Sequence, residues 1–393
     1  MTIKTGLVGI GGYAGSYLRL FQQLHAAGEI TFTSAAIRPQ DDIPEISAQL
    51  KQLGVKIYPD ADSMIEAEPL DLIALPIGIG QHCAYTLKAL KHNINVIVEK
   101  PAAGSTQEVL QMIRAENAAS TFVTVGFQQI HTQGIRTLKE ELCSGKYGAV
   151  KHISVIGIGP RNDAYYHRNN WVCKEKGPDG EAVYDSPINN AFAHYLNIAL
   201  FLSGEQFDRS AHAVGIQAEL YRARKEIETF DTCAVRIKTR NQIDILTLFS
   251  HAAAKTVPQT IKIECEKAVV MWQSPGNWSI TDHNRNLLAD WDEKDNHAQL
   301  EMLQRVIARI KNGTSELLCP LEVAYEHTFC IEEMHKYFKA EQLSEESYQI
   351  RKEDGQHIIP GIEELFMACF EQNKLPSENQ IPWAAPSREI SLQ

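Results

Sequence analysis

The chain has 393 residues and a formal net charge of -11, from 38 Lys and Arg against 49 Asp and Glu. That balance repels a phosphate backbone and argues against nucleic acid as a partner. No apolar run reaches the length of a membrane span, and no secretory signal is expected at the N-terminus.

With 44% hydrophobic and 22% charged residues, the composition is that of a cytoplasmic globular protein, long enough for two domains. The cysteines (83, 143, 173, 233, 265, 319, 330, 369) form no C-x-x-C pair. They read as reduced structural thiols, and no metal site is expected from their spacing.

The first element carries the most information. Residues 3–15 read Ile-Lys-Thr-Gly-Leu-Val-Gly-Ile-Gly-Gly-Tyr-Ala-Gly, a short apolar strand running into a glycine turn. Gly9, Gly11 and Ala14 fill a G-x-G-x-x-A pattern, with Gly12 and Tyr13 inside it. Gly9 permits the tight turn. Gly11 lets the backbone approach a pyrophosphate, and the small Ala14 lets helix and strand pack. A glycine triplet is also the pattern of an ordinary turn. The strand before it, the helix after it and its N-terminal place favour dinucleotide binding.

Strand patterns follow at Lys4–Gly9, Ile30–Ile37, Val55–Tyr58, Leu70–Leu75, Ile94–Val98 and Thr121–Val125. Helical patterns lie between them at Ala14–Ala27, Ile46–Leu53, Gln81–His92 and Gln107–Ala118. This alternation predicts βαβ units around a parallel sheet buried on both faces. The second strand ends Ala35-Ala-Ile-Arg-Pro39, without the acidic residue that would bind a ribose 2′-hydroxyl. Arg38 can hold a 2′-phosphate, while Asp41 and Asp42 can turn back, so NADP is favoured over NAD.

The fifth strand ends Val96-Ile-Val-Glu-Lys-Pro-Ala-Ala103. A lysine there can donate to a reacting hydroxyl and stabilise the developing alkoxide. Beside a positive nicotinamide its pKa would fall, which suits proton transfer. Without a cofactor, Glu-Lys-Pro reads as a solvated strand-end pair.

After Gly126 the pattern changes. A helix, Gly134–Ser144, precedes strands at Lys151–Ile158, Ala211–Tyr221, Thr232–Thr239, Gln242–Ser250, Thr260–Cys265 and Ala268–Gln273. Strands in succession predict an open, mainly antiparallel sheet. Helical patterns at Pro187–Ser203 and Asn296–Lys311 would cover one face of it. The charged, Pro-punctuated tail after about residue 340 would wrap the surface or pad the domain junction. The segment Arg161-Asn-Asp-Ala-Tyr-Tyr-His-Arg-Asn-Asn-Trp171 offers directional donors, acceptors and a stacking face to a polyhydroxylated ligand. Tyr166, Arg168 and Trp171 are its candidates; an ordinary polar loop is the alternative.

The glycine turn followed by Glu99-Lys100-Pro101 at a strand end resembles the glucose–fructose oxidoreductase / inositol dehydrogenase / rhizopine catabolism (Gfo/Idh/MocA) family. Gln81-His82, Val125-Gly-Phe-Gln-Gln129 and Leu142–Val150 extend the likeness. The resemblance implies a Rossmann dinucleotide-binding domain over 1–128 and an α+β substrate-binding and oligomerisation domain over 129–393. It implies cofactor contacts from Gly9, Gly11, Gly12, Tyr13, Ala14, Arg38, Pro76, His82, Glu99, Lys100 and Gln128. It also implies NAD(P)-dependent hydride transfer at a secondary hydroxyl or ketone of a sugar, polyol or sugar acid.

The family's Asp-x-x-x-His helix is matched by Asn190-Ala-Phe-Ala-His194, ending Leu202-Ser-Gly204. His194 thus stands as proton acceptor beside Lys100. Asn190 replaces the usual acid, Asn197 stands where a second Asp is common, and Asp185 could serve His194 instead. The loop from Pro76 to His82 is longer than the family pattern. The resemblance further implies a homodimer or homotetramer through the C-terminal sheet. Two other readings stay open: an NAD-dependent glycosidase working by transient oxidation, and a sugar or dinucleotide sensor without catalysis.

Overall fold

The structure, a computed structural model, describes residues 2–293, 297–313, 316 and 319–392. It divides into two compact units, Met1–His131 with His297–Tyr325, and Thr132–Asn296 with Glu326–Gln393.

The first unit alternates β1 (Ile3–Val8), α1 (Ala14–Ala26), β2 (Ile30–Ala36), α2 (Pro44–Gln52), β3 (Lys56–Tyr58), α3 (Ala61–Ala67), β4 (Leu72–Leu75), α4 (Ile79–Lys91), β5 (Asn95–Val98), α5 (Thr106–Asn117) and β6 (Val123–Val125). The strands pair in parallel in the order β3-β2-β1-β4-β5-β6. Strand order reverses between β1 and β4. In such sheets ligands bind outside the carboxyl ends at that switch point. All four residues of β4 are buried, as a strand covered on both faces requires.

Helix α3 goes beyond the sequence pattern. Seven residues are too few to show periodicity, and its start is set by the Asp60 carboxylate accepting from Ser63 N at 2.7 Å.

The second unit holds α6 (Gln133–Cys143), β7 (Val150–Ile158), α7 (Asp163–Tyr166), α8 (Ala193–Leu202), β8 (Ala213–Arg222), β9 (Thr232–Thr239), β10 (Asp244–Ser250), β11 (Val257–Cys265), β12 (Val269–Gln273), β13 (Asn277–Thr281) and β14 (Leu287–Asp292). The chain then forms α9 (Ala298–Asn312) and α10 (Leu321–Tyr337). After these come β15 (Glu341–Gln342), β16 (Gln349–Arg351), β17 (Gln356–Ile358), α11 (Ile362–Gln372) and β18 (Ile390–Ser391). One sheet runs β14-β13-β12-β11-β7-β10-β9-β8-β15, with β18 also on β8. It is antiparallel except where β10 meets β7 and β15 meets β8.

Two helices cover this sheet. Phe249 of β10 stacks on Phe192, the residue before α8, at 4.8 Å between centroids. Its neighbours Leu246 and Leu248 bury against Phe366 and Phe370 of α11. Alternate residues of a strand face opposite ways, so α8 and α11 lie on opposite faces. The tail therefore carries a core helix, where its charge and prolines predicted a surface wrap.

The helical pattern at 296–311 forms as α9. Asn296 lies outside the described residues. The helix belongs to the first unit and not, as expected, to the unit that holds the antiparallel sheet. Met302, Leu303, Val306 and Ile307 join the first unit's core with Leu7, Tyr17, Phe21 and Leu72. An apolar stripe predicts that a helix is half-buried; it does not choose the partner.

The C-terminal end of α8 is fixed by a buried lysine. Lys139 Nζ on α6 donates to Phe201 O and Gly204 O at 2.5 Å and to Arg209 O at 3.1 Å. A cation on the last carbonyls satisfies them and complements the helix dipole.

Candidate active site

The glycine turn follows β1 at the switch point. Gly9 and Gly12 take left-handed φ of +87° and +55°, which an L side chain rarely adopts. A Cβ on Gly9 would stand 3.4 Å from Ala14 Cβ, so the turn and the small residue fit each other. A Cβ on Gly11 would meet nothing within 4 Å. Helix α1 begins at Ala14 with no side-chain cap and no acidic residue in its first turn. Gly15 N and Ser16 N donate back to Gly12 O and Tyr13 O at 3.2 and 3.0 Å, so it is the open space above Gly11, beside the positive end of the helix, that fits a pyrophosphate.

Across the turn, Gln128 Nε2 donates to the Tyr13 hydroxyl at 3.0 Å. Gln128 Oε1 is buried and has no partner among the described residues. It is an acceptor suited to a carboxamide N–H.

At the end of β5 the Glu99 carboxylate is buried. It accepts from Tyr17 Oη of α1 at 2.7 Å and from Lys100 N at 3.2 Å. Burial pushes its pKa up, while the Tyr17 bond and the Lys100 charge pull it down. A Cβ on Gly126 would stand 2.4 Å from Glu99 Oε1, so the glycine after β6 is needed for this carboxylate to sit there. Lys100 itself is half-buried at the strand end.

His82 is fully buried on α4. Its Nδ1 lies 2.9 Å from Pro101 O and its Nε2 3.1 Å from Ile77 O. The ring therefore ties the Pro76–Gly78 loop to the Glu-Lys-Pro turn through backbone carbonyls. Burial lowers its pKa, and a neutral ring donates to one carbonyl at a time.

At the end of β2, Asp41 pairs with Arg38. Arg38 Nε donates to Asp41 Oδ2 at 2.5 Å, both side chains being exposed. Asp42 accepts instead from Ser47 Oγ.

The second unit carries the other predicted cluster. Asp185 is buried, and its two oxygens accept from Cys173 N at 2.6 Å and Asn190 Nδ2 at 2.7 Å. Asn190 lies before α8, in a run of turns in which Phe192 N donates to Pro187 O at 2.8 Å. Regular helix therefore starts at 193, later than the 187 predicted from the apolar pattern, and His194 stands in its first turn.

Cys173 and Tyr184, which flank the Asp185 contacts, have φ of +50° and +47°. Non-glycine residues held there are strained, and such strain gathers at functional sites. One turn beyond His194, Asn197 is fully buried, and its amide has no partner among the described residues.

This geometry changes what an acid at 190 would do. Asn190→Asp places a second carboxylate against Asp185, where like charges resist joint ionisation. Removing the amide donor should cost about 1–3 kcal/mol at neutral pH. The pair then binds a proton more tightly in the folded protein than in the unfolded one. Stability of this variant relative to wild type should thus rise as pH falls through the pair's raised pKa. Thermal melts from pH 5 to 8 measure it; an unchanged difference across that range would exclude the interaction.

Within 161–171 the structure sorts the candidates. Tyr166 is buried in a small apolar cluster with Val172, Cys173 and Ile227, beneath the Arg224 guanidinium at 4.2 Å. Tyr165 carries the cations: Arg168 Cζ sits 3.9 Å and Arg161 Cζ 5.0 Å from its ring centroid. Trp171 is 5.6 Å from Arg168 Cζ. Tyr165, Arg161 and the buried His251 beside them were missed as candidates. Aromatic and basic residues in a polar loop give no sign of which ones stack.

The switch-point sheet and the open glycine turn define a domain of the dinucleotide-binding class. Residues 3–127 match the family model described as "Oxidoreductase family, NAD-binding Rossmann fold", GFO_IDH_MocA. Through these residues the chain is similar to the Gfo/Idh/MocA family of oxidoreductases.

An inositol 2-dehydrogenase/D-chiro-inositol 3-dehydrogenase of Lacticaseibacillus casei is 29% identical over 168 residues, 42% of this chain and 47% of that protein. An inositol 2-dehydrogenase of Burkholderia cenocepacia (strain HI2424) is 23% identical over 273 residues, 63% and 80% of the two chains. The chain thus spans about half the length of the first relative and four fifths of the second. The fold is shared with the WlbA dehydrogenase of Bordetella pertussis, solved with NADH and UDP-GlcNAcA. The TM-score is 0.69 at 17% identity, covering 86% of this chain and 96% of that one.

Proposed function

We propose that the protein is an NAD(P)-dependent dehydrogenase acting on a secondary hydroxyl of a sugar, polyol or sugar acid. The observation that carries this reading is the Glu99-Lys100-Pro101 turn, locked by Tyr17 and His82 at the carboxyl end of β5 in the unit that holds the open glycine turn. When bound, the nicotinamide supplies the hydride acceptor.

The chain's own residues supply the rest. The Lys100 ammonium donates to the substrate oxygen and stabilises negative charge as it develops. His194 accepts the hydroxyl proton, and Asp185 with Asn190 fixes the turn that leads into its helix. The relatives' action on inositols and the WlbA complex with a nucleotide sugar support a polyol-like substrate. The test is absorbance of reduced nicotinamide with a panel of inositols, sugars and sugar acids. Oxidation of none of them, with cofactor bound, would sink the reading.

Within it, NADP is the preferred cofactor. Arg38 and Asp41 form an exposed pair, and such pairs are worth only about 0–1 kcal/mol, so a 2′-phosphate can displace Asp41. Arg38→Ala should weaken NADP binding by about 1.5–3 kcal/mol and leave NAD nearly untouched. Asp41→Asn should strengthen NADP binding by removing the competitor. Titration of both cofactors decides it; equal losses for NAD and NADP would end the assignment. The same reading includes a homodimer or homotetramer through the second sheet, which light scattering on the full chain tests.

A further inference from the structure

Arg161 and Arg168 differ from the other cations around them. Arg224 is paired with Asp163 and Glu226, and Lys174 with Glu228. Neither Arg161 nor Arg168 makes an ion pair with any described residue. Among the described residues Arg161 Nη1 reaches only Pro160 O, at 3.5 Å, and its buried Nε has no partner. Yet both guanidinium carbons are held within 5.0 Å of the Tyr165 ring centroid. In a chain of net charge -11, two adjacent unpaired guanidinium groups on one ring are a built feature, since carboxylates to neutralise them are plentiful.

The carboxylates nearby are engaged elsewhere. Asp185 accepts from Cys173 N and Asn190 Nδ2. Asp231 accepts from Ala223 N, Arg224 N and Thr232 Oγ1. The Tyr165 ring meets His251 at 5.5 Å, and His251 meets Phe192 at 5.5 Å. Phe192 leads directly into the turn of α8 that carries His194. His251 is buried, its Nδ1 2.8 Å from Gly159 O, and its Nε2 has no partner among the described residues. The pair of arginines is thus joined by packed rings to the start of the His194 helix.

We propose that Arg161 and Arg168 bind an anionic group of the substrate, a carboxylate or a phosphate ester, so that the substrate is an acidic sugar derivative rather than a neutral polyol. This rests on the dehydrogenase reading above. The planar guanidinium fork matches both anions, and stacking on Tyr165 pre-sets it at low entropic cost. His251 stays neutral there: burial first, then the two arginine charges, bring its pKa down to about 3. It offers a lone pair to a substrate hydroxyl rather than a competing cation.

The test uses the full-length protein loaded with NAD(P)+ and three probes, glucose, glucuronate and glucose 6-phosphate, titrated calorimetrically. At least one anionic probe should bind tenfold or more tightly than glucose. Arg161→Gln and Arg168→Gln should each reduce that affinity about tenfold, leave NAD(P)+ affinity unchanged, and be partly restored in Arg168→Lys. A preference for glucuronate or for glucose 6-phosphate tells a carboxylate from a phosphate site. Anionic probes that bind no better than glucose, or that bind as well to both glutamine variants, would overturn the proposal. Reduced nicotinamide is read in the same samples. Binding of an anion without oxidation of any probe would overturn the dehydrogenase reading and keep the anion site. Oxidation of a neutral substrate, unchanged in both variants, would do the reverse.

Discussion

Lys100→Met should lower turnover by about 10²-fold or more while leaving cofactor affinity mostly in place. Methionine keeps much of the length of the side chain and removes its charge and donors. The turn that carries Lys100 is also fixed by groups other than its ammonium. Glu99 is held by the Tyr17 hydroxyl and by the backbone N–H of Lys100, and Pro101 O is engaged by His82, so the turn should survive the substitution. The loss should appear in kcat rather than in KM for the cofactor, because the ammonium acts on charge that grows only as the reaction proceeds. His194→Asn should give a loss of similar size and remove one limb of the pH–rate profile. A Lys100→Met enzyme with near-normal kcat would remove lysine from the chemistry, whatever the fold. So would a variant whose only defect is weak cofactor binding.

The first unit was legible because its signals are local. Glycines at 9 and 12 are demanded by left-handed backbone, and the buried parallel strands read as unbroken apolar runs such as Leu72–Leu75. Even there, what locks Glu99 was not visible. Tyr17 and Gly126 are far apart in sequence and meet the carboxylate only in the fold.

The second unit was read less completely. Strand β14 is largely exposed and lacks the apolar alternation that marks a half-buried strand, although Trp278 of β13 and Trp291 of β14 stack at 5.3 Å. In the candidate site, the sequence offers Asp185 and Asn190 as candidates but does not show that they bond each other at 2.7 Å. Whether Tyr165 or Tyr166 faces the arginines depends on which ring the Val172 and Ile227 cluster absorbs, and only tertiary packing decides that.

Gly11→Val should abolish measurable dinucleotide binding while leaving the fold intact. The separation of the two effects follows from the turn's geometry. Gly11 is not among the glycines with positive φ, and a Cβ there meets nothing within 4 Å. Valine should therefore change stability by only about 0.5 kcal/mol, the range of ordinary surface substitutions. The space it fills is the one beside the uncapped start of α1, where a pyrophosphate must lie close to the backbone. A branched side chain there excludes the phosphates, and a loss of about 10²-fold or more, roughly 3 kcal/mol, is expected. Gly9→Val is the contrasting variant. Its φ of +87° and the Ala14 Cβ at 3.4 Å mean that the turn itself must distort, so stability should fall together with binding. Fluorescence titration of the cofactor and thermal melts on both variants separate the two cases. If Gly11→Val binds the dinucleotide as wild type does, the open space above the turn belongs to no cofactor. The catalytic assignment built at the end of β5 would then lose its basis.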